Sequence, residues 1–141
     1  MDLDSLFKQV ILEHYKNPLN KGLINDNSYI SSSFKNPSCG DQLTLQIKVQ
    51  DDTIIDCRHD GSGCSICCAS ASILSDVIKN KNVTQAKKMI DEFSRLVLGE
   101  KVDPNILNGE VLAFSSISTF PARIKCATLS WKSLEKGLGE I

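Results

Sequence analysis

Apolar side chains recur at helical spacing from the start of the chain: Leu3, Leu6, Phe7, Val10, Ile11 and Tyr15. They define one stripe of an amphipathic helix over residues 3–15. Asp2 or Asp4 supplies its cap, and Asn17-Pro18 stops it. The stripe predicts a face packed on the rest of the domain; the alternative is a helix that binds a partner. Residues 20–38 are rich in Asn, Ser and Gly and read as loop, with one strand near Tyr29–Phe34.

The period then changes to two. Leu43, Leu45, Ile47 and Val49 alternate with Thr44, Gln46 and Lys48, the pattern of a half-buried strand. Asp51-Asp52 reads as a turn and Thr53–His59 as the returning strand. Helical spacing resumes with Ile66, Ala69, Ile73, Leu74, Val77 and Ile78, which predicts a helix over residues 65–80 opened by Cys64. Thr84 is the expected cap of a second helix reaching Leu98, with Gly99 as its stop and Met89, Ile90, Phe93, Leu96 and Val97 facing inward. Residues 99–109 read as a connector and Glu110–Ile117 as a short helix. Pro121 suits the first turn of a last helix running to Lys136. There is no internal repeat, so residues 1–141 read as a single domain.

Composition narrows the class. With 41% hydrophobic and 23% charged residues in 141, the chain can bury one core of its own and reads as a soluble monomer. A net charge of −1 argues against a nucleic-acid binder, which carries a basic face. No apolar stretch approaches the roughly 20 residues of a membrane helix. The opening Met1-Asp2-Leu3-Asp4 lacks the basic start of a secretion signal, so a cytoplasmic location is expected. In that compartment six cysteines point to metal or catalytic chemistry rather than to a disulfide framework.

Three cysteines and an aspartate fall at element junctions. Cys39 and Asp41 lie in Asn-Pro-Ser-Cys-Gly-Asp, before the hairpin, and Cys64 lies in Gly-Ser-Gly-Cys, after it. An antiparallel hairpin brings its two outer ends together. Cys126 opens the last helix. Thiolate sulfur and carboxylate oxygen suit tetrahedral zinc, and the same sulfurs suit iron–sulfur chemistry. Helix N-termini favour thiolates at Cys64 and Cys126, and Gly40, Gly61 and Gly63 allow tight turns around an ion. Singly, each cysteine reads as a small buried residue and Asp41 as a turn residue; jointly they read as a metal site. Arg123 and Lys125 flank Cys126 and would offset the negative charge of such a site. Cys57 reads as core. Cys64-x-x-Cys67 has ligand and redox spacing, but Cys67 and Cys68 head a row of small residues, Ala69 to Ser72, and read as packing residues. His14 and His59 read as surface residues.

The three-part motif of Cys-Gly-Asp, Gly-x-Gly-Cys and a late Lys-Cys-Ala resembles the IscU/NifU-type iron–sulfur assembly proteins, from the N-terminal helix to Trp131. Within that family the chain resembles the SufU type. Lys125 stands where IscU has a histidine, residues 95–112 form a segment that IscU lacks, and Ser118-Thr119-Phe120-Pro121-Ala122-Arg123 replaces the Leu-Pro-Pro-Val-Lys motif by which IscU docks a dedicated chaperone.

The resemblance implies an α+β fold, a small three-stranded antiparallel sheet packed with helices. It implies Zn2+ held at rest by Cys39, Asp41, Cys64 and Cys126. It also implies a sulfurtransferase-like carrier that stimulates a SufS-type cysteine desulfurase, takes persulfide sulfur on Cys39 and passes it to a downstream iron–sulfur scaffold complex. One alternative is a scaffold on which a [2Fe–2S] cluster forms on Cys39, Cys64 and Cys126. An alternative of another class is a structural zinc domain that binds partners through its apolar N-terminal helix.

Overall fold

A computed structural model describes residues 2–140. Three strands, β1 (Ile30–Asn36), β2 (Asp41–Gln50) and β3 (Thr53–Ser62), form an antiparallel sheet in the order β1-β2-β3. Asp51 and Asp52 both adopt positive φ, 50° and 63°, the conformation whose twist matches a two-residue hairpin between β2 and β3. The expected alternation holds: Leu43, Leu45 and Ile47 are buried. Gln46, expected to face water, is buried as well. Its side chain accepts from Ile24 N–H at 2.7 Å and donates to Ile24 O at 2.9 Å, which ties the 20–29 loop over the outer face.

Helix α1 (Leu3–Lys16) is capped by Asp2, whose carboxylate accepts the Ser5 N–H at 2.8 Å. Its apolar stripe divides. Ile11 is buried and Phe7 and Val10 pack on the core, while Leu3, Leu6 and Tyr15 are exposed. Helix α2 (Ser65–Val77) ends three residues before the expected Asn80. Helix α3 (Val83–Leu96) is capped by Asn82 and not by Thr84. The Asn82 side chain accepts the Gln85 N–H at 2.8 Å, and the Gln85 side chain accepts the Asn82 N–H at 2.9 Å, a reciprocal capping box. The short helix expected over residues 110–117 is a 3₁₀ helix, Gly109–Thr119. Pro121 opens a single 3₁₀ turn, Pro121–Arg123, that leads into α4 (Ile124–Leu138).

Helix α4 lies across β1 and β2. Gly137 faces the sheet at Ser32 and Ile47, where a Cβ would stand at ordinary contact distance, 3.4 Å from Ser32 Oγ and 3.6 Å from Ile47 Cδ1. Helix α2 packs between α1 and α4 with a surface of small residues: Ser70 Oγ donates to Ala127 O at 2.6 Å and accepts from Trp131 Nε1 at 3.2 Å. Phe93 of α3 stacks on Trp131 with ring centroids 4.2 Å apart, and Phe114 meets Phe93 edge-on.

Both histidines depart from the surface reading. His14 is buried, with Nδ1 2.8 Å from Ser72 Oγ and Nε2 3.3 Å from Glu110 Oε2, so it pins α1 to α2. His59 is buried with Nε2 2.7 Å from Leu19 O. Cys57 is core as expected: it is fully enclosed, and burial pushes its thiol up to about 12.

Candidate metal centre

The sheet register assembles the site. Antiparallel pairing sets Asn36 opposite Asp41 and Ser62 opposite Gln42, so the end of β3 lies beside the start of β2. Cys39 occupies the turn between β1 and β2, where Gly40 takes φ +70° with open space around it. Asp41, first in β2, is buried and accepts the Cys64 N–H on Oδ1 at 2.9 Å. That bond also supplies a partner for the first turn of α2, whose N-cap is Cys64. The approach requires Gly63, where a Cβ would fall 2.4 Å from Asp41 Oδ1. Gly61, at φ +156°, lies so close to β2 that a Cβ would meet Gln42 O at 2.1 Å.

The start of α4 delivers Cys126, which is fully buried. Donor atoms of Cys39, Asp41 and Cys126 lie within 4.8 Å of one another. The two sulfurs are 3.2 Å apart, and Cys64 Sγ stands 3.9 Å from Asp41 Oδ2, just outside that group. Donors around a tetrahedral ion with bonds of about 2.0–2.3 Å stand roughly 3.3–3.8 Å apart; the 3.2 Å and 3.9 Å separations here fall just either side of that range, and the thiolate and carboxylate donors are those zinc takes. Burial, followed by hydrogen bonds with Asp41, Cys39 and Cys64, pushes the Cys126 thiol up. Arg123, exposed, places Nη1 3.7 Å from Cys39 Sγ. Lys125 is exposed.

Asn36 is a site residue that the sequence reading missed. It is buried, its Nδ2 donates to Cys126 Sγ at 3.7 Å, and its carbonyl accepts the Cys39 N–H at 3.2 Å. The Asn-Pro pair that opens the Cys39 motif was the available signal. Beneath the site lies a buried patch of Leu43, Cys67, Ala71, Cys126 and Leu129, against which Phe34, Cys39, Cys64 and Ile66 pack. Cys67 belongs to that patch. Cys68 turns the other way, lining a small cleft with Tyr15, Lys21 and His59, and its thiol donates to Gly63 O at 3.7 Å.

A three-stranded antiparallel sheet that gathers Cys39, Asp41 and Cys126 beside Cys64 is the arrangement of an iron–sulfur assembly domain, and residues 6–127 match the model of the NifU-like N-terminal domain. The chain belongs to that family. It is 46% identical over 139 residues to the zinc-dependent sulfurtransferase SufU of Bacillus subtilis, covering 99% of this chain and 93% of that one. Against the iron–sulfur cluster assembly scaffold protein IscU of Thermotoga maritima it is 35% identical over 136 residues, 96% and 94% of the two chains. A crystal structure described as an iron–sulfur cluster assembly scaffold protein for the SUF system of Fervidobacterium islandicum superposes with a TM-score of 0.80 at 30% identity, covering 97% of this chain and 99% of that one.

Proposed function

We propose that this protein is a cytoplasmic, zinc-holding sulfur acceptor in iron–sulfur cluster assembly, with Cys39, Asp41, Cys64 and Cys126 as ligands and Cys39 as the acceptor. The observation that carries the reading is the position of Cys39. Cys64 and Cys126 are anchored on helices, whereas Cys39 is a half-buried thiol on a glycine turn beside the Arg123 guanidinium. A turn-borne ligand can swing out without unwinding a helix. The relative named as a zinc-dependent sulfurtransferase supports both the metal and the chemistry.

The residues would divide the work as follows. The Cys39 thiolate attacks the outer sulfur of a persulfide on a cysteine desulfurase. A new S–S bond forms on Cys39, the old S–S bond breaks, and the desulfurase cysteine leaves as a thiolate, with no net oxidation or reduction. Arg123 stabilises negative charge on the Cys39 sulfur before and after transfer. Asp41 and the helix-borne sulfurs stay in place, and bound zinc would lower the proton affinity of the Cys39 thiol. The sulfur then passes by the same exchange to a downstream cluster-building complex.

The test is cysteine turnover by a SufS-type desulfurase. Adding this protein raises the rate, and Cys39→Ala abolishes the rise while mass spectrometry finds the added sulfur on Cys39 of the parent. Undiminished stimulation by Cys39→Ala, with sulfur on another cysteine, overturns the assignment. The scaffold reading draws on the IscU relatives. It requires a visible iron–sulfur spectrum to develop on Cys39, Cys64 and Cys126 when iron, cysteine and desulfurase are supplied.

A further inference from the structure

Asn36 ends β1 directly opposite Asp41 in the sheet register, so the two residues bracket the turn that carries Cys39. It is 5% exposed. A buried amide is costly unless it is hydrogen-bonded. The partner its side chain finds is a sulfur: Nδ2 donates to Cys126 Sγ at 3.7 Å, joining the end of β1 to the start of α4. Its backbone carbonyl accepts the Cys39 N–H at 3.2 Å. One residue thus touches two of the three proposed sulfur ligands, by its side chain and by its main chain, and those two sulfurs lie 3.2 Å apart. We infer that Asn36 is a positioning residue of the metal centre, which fixes the Cys126 sulfur relative to the Cys39 turn and draws negative charge from that sulfur through an N–H···S bond.

Packing alone would be served by leucine, which has nearly the same shape. The amide adds a donor without adding a charge. Three thiolates and a carboxylate on one divalent ion leave an excess of negative charge, and a hydrogen bond to one sulfur weakens its repulsion of the others. Arg123 meets that excess on the solvent side, at Cys39. Asn36 meets it on the buried side, at Cys126, where a cation would lose its hydration. A donor held in this way orients the ligand and tunes the ion that it binds.

The inference rests on the ligand set proposed above, and the test separates the two. Cobalt(II) replaces zinc in the purified full chain, and the sulfur-to-cobalt absorption band reports the thiolates. A hydrogen bond lowers the energy of the sulfur lone pair, so its loss moves the band to longer wavelength. Asn36→Leu should keep the band intensity of the parent, move the band to longer wavelength and weaken cobalt binding roughly 10- to 100-fold. Asn36→Asp sets an acceptor against the sulfur and should weaken binding at least as much. On a Cys126→Ala background, with no sulfur to accept the bond, Asn36→Leu should add no further loss. A parental band position in Asn36→Leu overturns the inference whatever the affinity, because weaker binding alone would mark Asn36 as a support of the fold; the ligand set then stands. If Cys126→Ala keeps the parental band in position and intensity, Cys126 is no ligand, and the set and the inference fail together. Circular dichroism checks each protein. Should the Asn36 variants not fold, the parent loaded with cadmium-113 answers by NMR: scalar coupling between the metal and the Asn36 side-chain N–H is expected, and its absence overturns the inference.

Discussion

Folding moves the His59 imidazole from water into a pocket where its Nε2 meets Leu19 O and its neighbours are Lys21, Arg58 and Asp60. Burial is the largest influence and holds its pKa below the ordinary 6.5; the Leu19 carbonyl and Asp60 oppose this, and Lys21 and Arg58 reinforce it. Below pH 6.5 the unfolded chain therefore binds a proton that the folded chain resists. The stability associated with neutral His59 is complete above 6.5 and is lost as pH falls through the depressed folded value. In urea unfolding at roughly pH 7.5 and 5.5, the parent should lose more stability than His59→Gln, which carries no such proton. Parallel losses in the two proteins would show that His59 contributes nothing to the acid sensitivity.

At the scale of elements, the junction between β3 and α2 is the place where one methyl group decides the site. Gly63→Ala would drive a Cβ to 2.4 Å from Asp41 Oδ1, the oxygen that also accepts the Cys64 N–H. The carboxylate must move, and the hydrogen bond and the metal ligand move with it. A Cβ there would also stand 3.2 Å from Asp41 Cα, so the start of β2 must yield slightly as well; with folding checked by circular dichroism, the zinc affinity of the variant should fall roughly 10- to 100-fold, the loss typical of a disturbed ligand support. Competition against a chromophoric chelator reads this directly, and an unchanged affinity would mean that Asp41 does not bind the ion. The same junctions explain what could be read in advance. Hairpin and helices follow from local periodicity, and Cys39, Asp41 and Cys64 could be brought together from the hairpin alone. The cap at Asn82 was legible too, in its spacing to Gln85, though Thr84 competes for the role. What stayed hidden depends on partners far along the chain. His14 is buried by Ser72, His59 by Leu19 and Gln46 by Ile24, and no local pattern encodes those pairs.

Across the whole molecule, the proposed ligands tie the β1–β2 turn, the start of β2, the N-terminus of α2 and the start of α4. An ion bound there closes loops that the unfolded chain would leave open, and its binding energy becomes folding energy, on the order of 10 kcal/mol for structural zinc. Stripping the metal with a strong chelator should lower Tm by roughly 20 °C or more, at about 2–4 °C per kcal/mol for domains near this size. Scanning calorimetry of metal-loaded and stripped protein, with zinc added back, measures it. A stripped protein that melts at the same temperature would mean that the fold closes the site without help from the ion.

The placement of Cys126 has a further consequence, for the order in which the protein is made. A chain emerges from the ribosome N-terminus first, so Cys39, Asp41 and Cys64 are in solution well before Cys126. The α4 helix that delivers Cys126 and seals the buried patch is the last element to appear. During that interval the nascent chain carries two of the three proposed sulfur ligands, Cys39 and Cys64, without the third. With the proposed ligand set, acquisition of the ion would belong to the end of synthesis, after α4 has docked across β1 and β2, and a chain stalled before that helix would present open sulfur ligands to any soft metal in the cell.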